Sequence, residues 1–236
     1  MVMLRWICSG VFLMVYVLVS AQAQRIRIAC VGNSITTGAR VDNPLTESYP
    51  AVLGNLFAAN KRQNVQVKNF GIGGATMLRF GTPNVWRVLD SLRMFPADVV
   101  VIETGTNETV GAPRYNWEHI SEWEKDYADY IKEVRRIHPN VALVLCSPLD
   151  MVLETAGLSK ERKENLTERR PRIWELRRRL KKISRLHDAY FLDLTKPFKG
   201  RADLMTATDG VHPNKAGYAF LASTVYRFLT RKQLVN

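Results

Sequence analysis

The sequence predicts an α/β fold: a single-domain three-layer α/β/α sandwich around a mostly parallel five-stranded sheet. Three observations predict it. Short apolar runs of strand length alternate with longer amphipathic segments, the pattern of a parallel sheet covered on both faces. The runs are rich in β-branched or aromatic residues. No repeat, low-complexity tract or linker interrupts them, and 236 residues suit one core that buries about 70% of the unfolded surface.

Composition narrows the class further. With 46% hydrophobic and 24% charged residues, a disordered or collagen-like chain is excluded. Three cysteines are too few for a disulfide scaffold. The formal charge of +12 permits attraction to polyanions and says nothing about fold.

The first stretch is an address. Arg5 supplies a positive start, Ile7 to Val19 carries no charge, and Ala21-Gln22-Ala23 is a small-x-small cleavage site. Residues 1–23 therefore read as a secretory signal peptide, cut before Gln24, which makes the product secreted or periplasmic. An uncleaved membrane anchor fits less well, because the apolar run is short for a span. The folded domain is then 24–236.

The first strand is Ile26–Val31, followed by Gly32-Asn33-Ser34-Ile35-Thr36. A serine in a turn directly after a buried strand is well placed to be an exposed nucleophile. A helix over Ser48–Asn60 leads to the second strand, Val65–Phe70, and then to Gly71-Ile72-Gly73-Gly74-Ala75-Thr76. Such glycines let the backbone approach a ligand and aim N–H groups at it. Their spacing is not that of a nucleotide-binding turn.

A helix over Asn84–Met94 precedes the third strand, Asp98–Glu103, and the turn Gly105-Thr106-Asn107-Glu108. A side-chain amide there can stabilise an oxyanion without carrying charge. Next come a helix over Ile120–Ile137 and a fourth strand, Val141–Cys146. Leu149–Arg170 is long for a connection and could form a pocket rim. The next helix is predicted to start at Pro171, where a first helical residue can spare its N–H, and to end at Leu186. Its apolar stripe is Ile173, Leu176, Leu180, Ile183 and Leu186.

The fifth strand is Tyr190–Leu194. Beyond it lies Thr208-Asp209-Gly210-Val211-His212-Pro213-Asn214, in which one carboxylate can reach the imidazole. Asn214 is a plausible N-cap for a last helix over Lys215–Thr230. Of the other histidines, His138 and His187 lie near predicted helix ends and have no such partner, while His119 neighbours Glu118 near a helix start and reads as surface. Cys30 and Cys146 each fall in a predicted buried strand. Free buried thiols fit them better than a disulfide.

Ligands in parallel sheets sit at the carboxyl ends of the strands. A nucleophile, a base, a base-orienter and oxyanion donors all fall there. These four ordered blocks resemble the SGNH/GDSL hydrolase superfamily, named for its Ser, Gly, Asn and His. The resemblance implies a flavodoxin-like hydrolase domain and an acyl-enzyme mechanism. Ser34 is the nucleophile, His212 the base and Asp209 its orienter. The N–H groups of Ser34 and Gly74 and the amide of Asn107 form the oxyanion hole. No metal or other cofactor is implied.

Two positions depart from the family pattern: Asn33 and Glu108 stand where the family usually has Asp. The phrases Ala29-Cys-Val-Gly-Asn-Ser-Ile-Thr36 and Asn69-Phe-Gly-Ile-Gly-Gly-Ala-Thr76 look like secreted sialate O-acetylesterase-like or carbohydrate esterases. The function this implies is removal of O-acetyl groups from carbohydrate. A lipase, lysophospholipase or thioesterase on the same triad is the alternative enzyme, and a non-catalytic glycan- or envelope-binding protein the alternative of another class. Tyr115 and Trp117 follow the third block closely enough to be candidate sugar contacts.

Lys160 to Arg185 holds twelve basic residues and four acids. A solvated helix face is the simplest reading, and contact with an anionic glycan or envelope surface the next. A nucleic-acid partner is not expected, since no recognised motif accompanies the charge.

Overall fold

The computed structural model describes residues 25–62 and 64–235. The signal-peptide reading of residues 1–23 lies outside the described residues. The five strands are β1 (Ile26–Gly32), β2 (Val65–Gly71), β3 (Val99–Glu103), β4 (Ala142–Cys146) and β5 (Tyr190–Leu192). They pair in the order β2-β1-β3-β4-β5, every pair parallel. That order is the flavodoxin-like one, with its switch point between β1 and β3.

The helices are α1 (Ser34–Thr37), α2 (Pro44–Glu47), α3 (Tyr49–Ala59), α4 (Leu89–Arg93), α5 (Trp123–Ile137), α6 (Lys160–Leu186), α7 (Thr195–Phe198) and α8 (Lys215–Arg231). Alternation along the strands sorts the core into two faces. Ile28 and Cys30 of β1 join Val99, Val101, Val144 and Cys146 on one side, where Leu53 and Phe57 of α3 and Leu221 and Val225 of α8 cover them. Ala29 and Val31 join Val100, Ile102, Leu143 and Leu145 on the other. Trp123, Tyr127 and Val134 of α5 and Leu176 and Leu180 of α6 close that side. The three predicted layers are present.

Cys30 and Cys146 are buried free thiols. β3 lies between their strands, so two strand spacings of about 4.8 Å hold them beyond the roughly 7 Å limit for a disulfide. Burial pushes the Cys30 thiol up to about 12.

The predicted start of α6 is corrected. The helix begins at Lys160, not Pro171, with Ser159 as a cap accepting from the Arg162 N–H at 3.1 Å. Pro171 is inside it. A proline there costs about 3 kcal/mol through the lost hydrogen bond and ring clash. Tertiary contacts offset it: Leu166 and Ile173 are buried on either side, and the flanking Arg169 and Arg170 are both anchored. Half of the expected connection Leu149–Arg170 is therefore helix. The remainder packs Met151 and Leu158 with Leu166, Ile173 and Val211 in a small third cluster. Val211 belongs to the loop that carries His212, so this cluster supports the site.

Among the described residues no helix is long and apolar enough to cross a membrane.

Candidate active site

Ser34 is the first residue of α1, which the end of β1 feeds directly. Asn33 caps that turn, its Oδ1 accepting from the Ile35 N–H at 2.8 Å. Gly32 has no room for a side chain: a Cβ there would lie 2.2 Å from Thr36 Oγ1 and 2.3 Å from the Glu103 carbonyl oxygen. The Ser34 turn is thus pressed onto β3. Gly38, at φ +84°, closes it.

Ser34 Oγ lies 2.8 Å from His212 Nε2. The other ring nitrogen, Nδ1, lies 3.0 Å from Asp209 Oδ2 and 3.2 Å from Oδ1. Asp209 Oδ1 also accepts from the N–H groups of Val211 and His212, each at 2.9 Å. Burial alone would raise the Asp209 carboxyl, but His212 and the two backbone donors outweigh it and hold it well below the usual carboxylate range. It is ionised at neutral pH, as an orienter of Nδ1–H must be.

Two arginines complete the carboxylate's surroundings. Arg40 Nε stands 3.3 Å from Asp209 Oδ2. Arg162 Nε donates to the Asp209 carbonyl at 2.8 Å, and its Nη2 lies 3.4 Å from Oδ1. Neither was read from the sequence.

The loop after β2 lies against the Ser34 turn. The Ile72 N–H donates to the Gly32 carbonyl at 2.9 Å, and Asn69 Nδ2 donates to the Thr36 carbonyl at 2.8 Å. Gly74 takes φ +76°, a conformation that favours glycine. Asn107 Nδ2 donates to the carbonyl of the next residue, Ala75, at 3.0 Å. Two of the expected oxyanion donors are thereby joined. Arg114 Nη2 fixes the Gly74 carbonyl at 2.7 Å.

Glu108 shows what its extra methylene reaches. Its carboxylate accepts from the Met77 N–H at 2.6 Å and the Gly105 N–H at 2.9 Å, bridging the loops after β2 and β3. Burial raises this carboxyl against the pull of those bonds. Glu103, beneath the Ser34 turn, is also buried, and its two oxygens make no close hydrogen bond. Burial and the Glu108 charge push Glu103 up to about 8, with the Asn33 amide opposing.

Tyr115 is 52% exposed in the loop that Arg114 pins to Gly74. Trp117 is half-buried against the α5 side of the core, with the Arg172 guanidinium 5.0 Å from its ring. Among the described residues no group of three or more His, Cys, Asp or Glu could hold a metal ion. Of the remaining histidines, His138 Nε2 lies 2.9 Å from the Leu92 carbonyl, and His119 stacks on Phe80.

Comparison with known proteins bears on the family. Residues 30–220 match the GDSL-like lipase/acylhydrolase family. An acetylxylan esterase from Xylanibacter ruminicola is 39% identical over 115 residues, 47% of this chain and 22% of that protein. The chain thus spans about a fifth of that relative's length. A lipase/acylhydrolase from Enterococcus faecalis superposes with a TM-score of 0.67 at 21% identity, covering 88% of this chain and 96% of the other. A carbohydrate acetylesterase from Sinorhizobium meliloti also gives 0.67, at 15% identity, over 87% and 99% of the two chains. The likeness to these two structures is one of fold. With its four blocks in order and the family matched over most of its length, the chain belongs to the GDSL-like lipase/acylhydrolase family.

Proposed function

We propose that this chain is an exported serine esterase that removes O-acetyl groups from carbohydrate. The observation that carries the reading is the line of contacts from Ser34 Oγ through His212 to Asp209, at 2.8 and 3.0 Å. The acetylxylan esterase relative supports the acyl group and the substrate class. The signal-peptide reading of residues 1–23 supports export.

His212 Nε2 takes the hydroxyl proton as Ser34 Oγ attacks the ester carbonyl carbon. Nδ1–H stays on Asp209, whose charge stabilises the imidazolium. The oxyanion is met by the N–H groups of Ser34 and Gly74 and by the second N–H of Asn107 Nδ2, the first being held by Ala75. His212 then gives its proton to the sugar oxygen, the ester C–O bond breaks, and the acetyl group stays on Ser34. Water, deprotonated by His212, releases acetate and restores the hydroxyl. Tyr115 is the aromatic best placed to meet a sugar ring, because Trp117 is engaged by the core and by Arg172.

Hydrolysis of para-nitrophenyl esters from acetate to octanoate, beside acetate release from acetylated xylo-oligosaccharides, tests the reading. Turnover highest on acetate, with acetate released from the oligosaccharide, is expected. Turnover that rises with chain length would move the substrate to lipids.

A further inference from the structure

The basic stretch of α6 divides in two. Most of its arginines are spent inside the fold. Arg170 pairs with Asp150, Arg172 with Glu168 and Arg179 with Glu124. Arg169 is buried against the Thr106 carbonyl and the Thr109 hydroxyl, and Arg162 holds Asp209.

The end of the helix behaves differently. A cleft of about 680 Å³ between α6, α8 and the end of β5 is lined by Arg177, Lys181, Lys196, Arg227 and Arg231, with Asp193 the one acid. Arg177 already engages that acid through both carboxylate oxygens, at 2.9 and 2.5 Å. A second depression of about 400 Å³ shares Arg177 and Lys181 and adds Arg178, Lys182 and Arg185. Among the described residues, none of these cations except Arg177 has an acidic partner within 4.0 Å. Residues four apart on a helix are about 6 Å apart along it, so 177 with 181 and 178 with 182 form two parallel rows of charge. Seven exposed cations beside one neutralised acid repel one another, and the fold gains nothing from placing them together.

We propose that this cleft binds an anionic polysaccharide, a chain of uronate-bearing sugars, and holds it for the esterase. The proposal rests on the carbohydrate-esterase reading for the second half of that statement only. The shape selects the ligand. Two helices wall the cleft, so it receives a strand and not a flat surface. Among the described residues at its border the exposed large hydrophobics are Leu186 and Tyr190, too little to insert into a membrane. Phe191 and Phe228 on its lining are half-buried and buried, so the lining itself offers no open aromatic face for stacking nucleobases. All strands are parallel, so Asp193, just past β5, lies on the same sheet edge as Ser34, and the cleft runs from there down the flank of β5 to its start, where Phe228 meets Tyr190. Three strand spacings, about 14 Å across the sheet, separate the upper end of the cleft from β1, so a chain lying along β5 meets the Ser34 edge at that end only.

The test uses the Ser34→Ala protein, which binds without turnover, and polygalacturonate as the probe. Affinity electrophoresis through gels containing polygalacturonate, neutral xylan or DNA, and sedimentation with phosphatidylglycerol vesicles, separate the ligand classes. Retardation by polygalacturonate that weakens with added salt is expected. The triple variant Lys181→Glu, Arg227→Glu, Arg231→Glu should lose at least tenfold in affinity. The same triple change in the active enzyme should leave turnover of para-nitrophenyl acetate unaltered, which also shows that the variant folds. Equal retardation of variant and parent overturns the proposal, as does binding confined to vesicles or to DNA. Ester turnover without polyuronate binding refutes the cleft and leaves the esterase standing. Polyuronate binding lost in the triple variant, in a protein that cleaves no ester, supports the cleft and refutes the esterase.

Discussion

Arg162 grips Asp209 at two points, its Nε on the main-chain carbonyl at 2.8 Å and its Nη2 at 3.4 Å from carboxyl Oδ1. A residue near the start of α6 thereby ties that helix to the loop that carries Asp209 and His212. The carboxylate orients His212 only if the loop itself is fixed, and Gly210 has little slack, with a Cβ there only 2.9 Å from the Val152 carbonyl oxygen. Arg162→Ala should lower kcat by about 10- to 100-fold, the usual effect of a small misplacement of reacting groups. KM should change little. A variant with parental kcat would make Arg162 a surface residue only.

Asn107 has two amide hydrogens and one internal partner, Ala75. Asn107→Ala removes an oxyanion donor and should lower kcat by about 100- to 1,000-fold with a small change in KM. Steady-state kinetics on para-nitrophenyl acetate checks it. Near-parental turnover would remove Asn107 from the oxyanion hole.

Two carboxyls should give stability opposite pH dependences in different windows. Glu103 holds its proton up to about 8 in the folded chain, against an ordinary value of 4.5. Between those values the folded chain binds the extra proton, so this contribution is full below 4.5 and is lost as pH rises through 8. Asp209 has the opposite sign: its depressed carboxyl stabilises the fold at neutral pH and ceases to do so in acid. Glu103→Gln keeps the shape and removes the ionisation. Melting temperatures taken from about pH 4.5 to about pH 8 should decline less steeply in this variant than in the parent, with Glu108 supplying the residual slope. Identical slopes would contradict the assignment.

Gly32 and Gly73 offer a matched pair. A Cβ at Gly32 meets the Glu103 carbonyl at 2.3 Å, while one at Gly73 meets nothing within 4 Å. Gly32→Ala should destabilise by about 1–3 kcal/mol, as overpacking does, and should lower kcat by moving Ser34. Gly73→Ala should stay within about 0.5 kcal/mol of the parent. Urea denaturation of the two variants measures both.

The fold class was legible because strands buried on both faces and amphipathic helices leave different periods in the sequence. The five strands appear within two residues of their predicted ends, and α8 within one. α6 was misread at Pro171 because proline's local preference for a first turn was overridden by long-range anchors. Arg169 reaching Thr106 and Arg162 reaching Asp209 leave no periodic trace. The short helices α1, α2 and α7 were missed for a related reason, since a single turn is too short to show a period. At the site, Ser34, Asp209 and His212 were readable from their places after the strands. Arg40 and Arg114 were not, because nothing local in a sequence marks which loop an arginine will touch. Glu103 did leave a signal: an acid closing the apolar run Val99-Val100-Val101-Ile102.

If Ser34 is the nucleophile, its removal must abolish turnover without unfolding the chain. Turnover of para-nitrophenyl acetate by Ser34→Ala beside the parent, with melting curves to show that both fold, tests this. Turnover should fall by roughly 10⁴-fold or more at an unchanged melting temperature. A folded Ser34→Ala protein that keeps turnover within tenfold of the parent would contradict it.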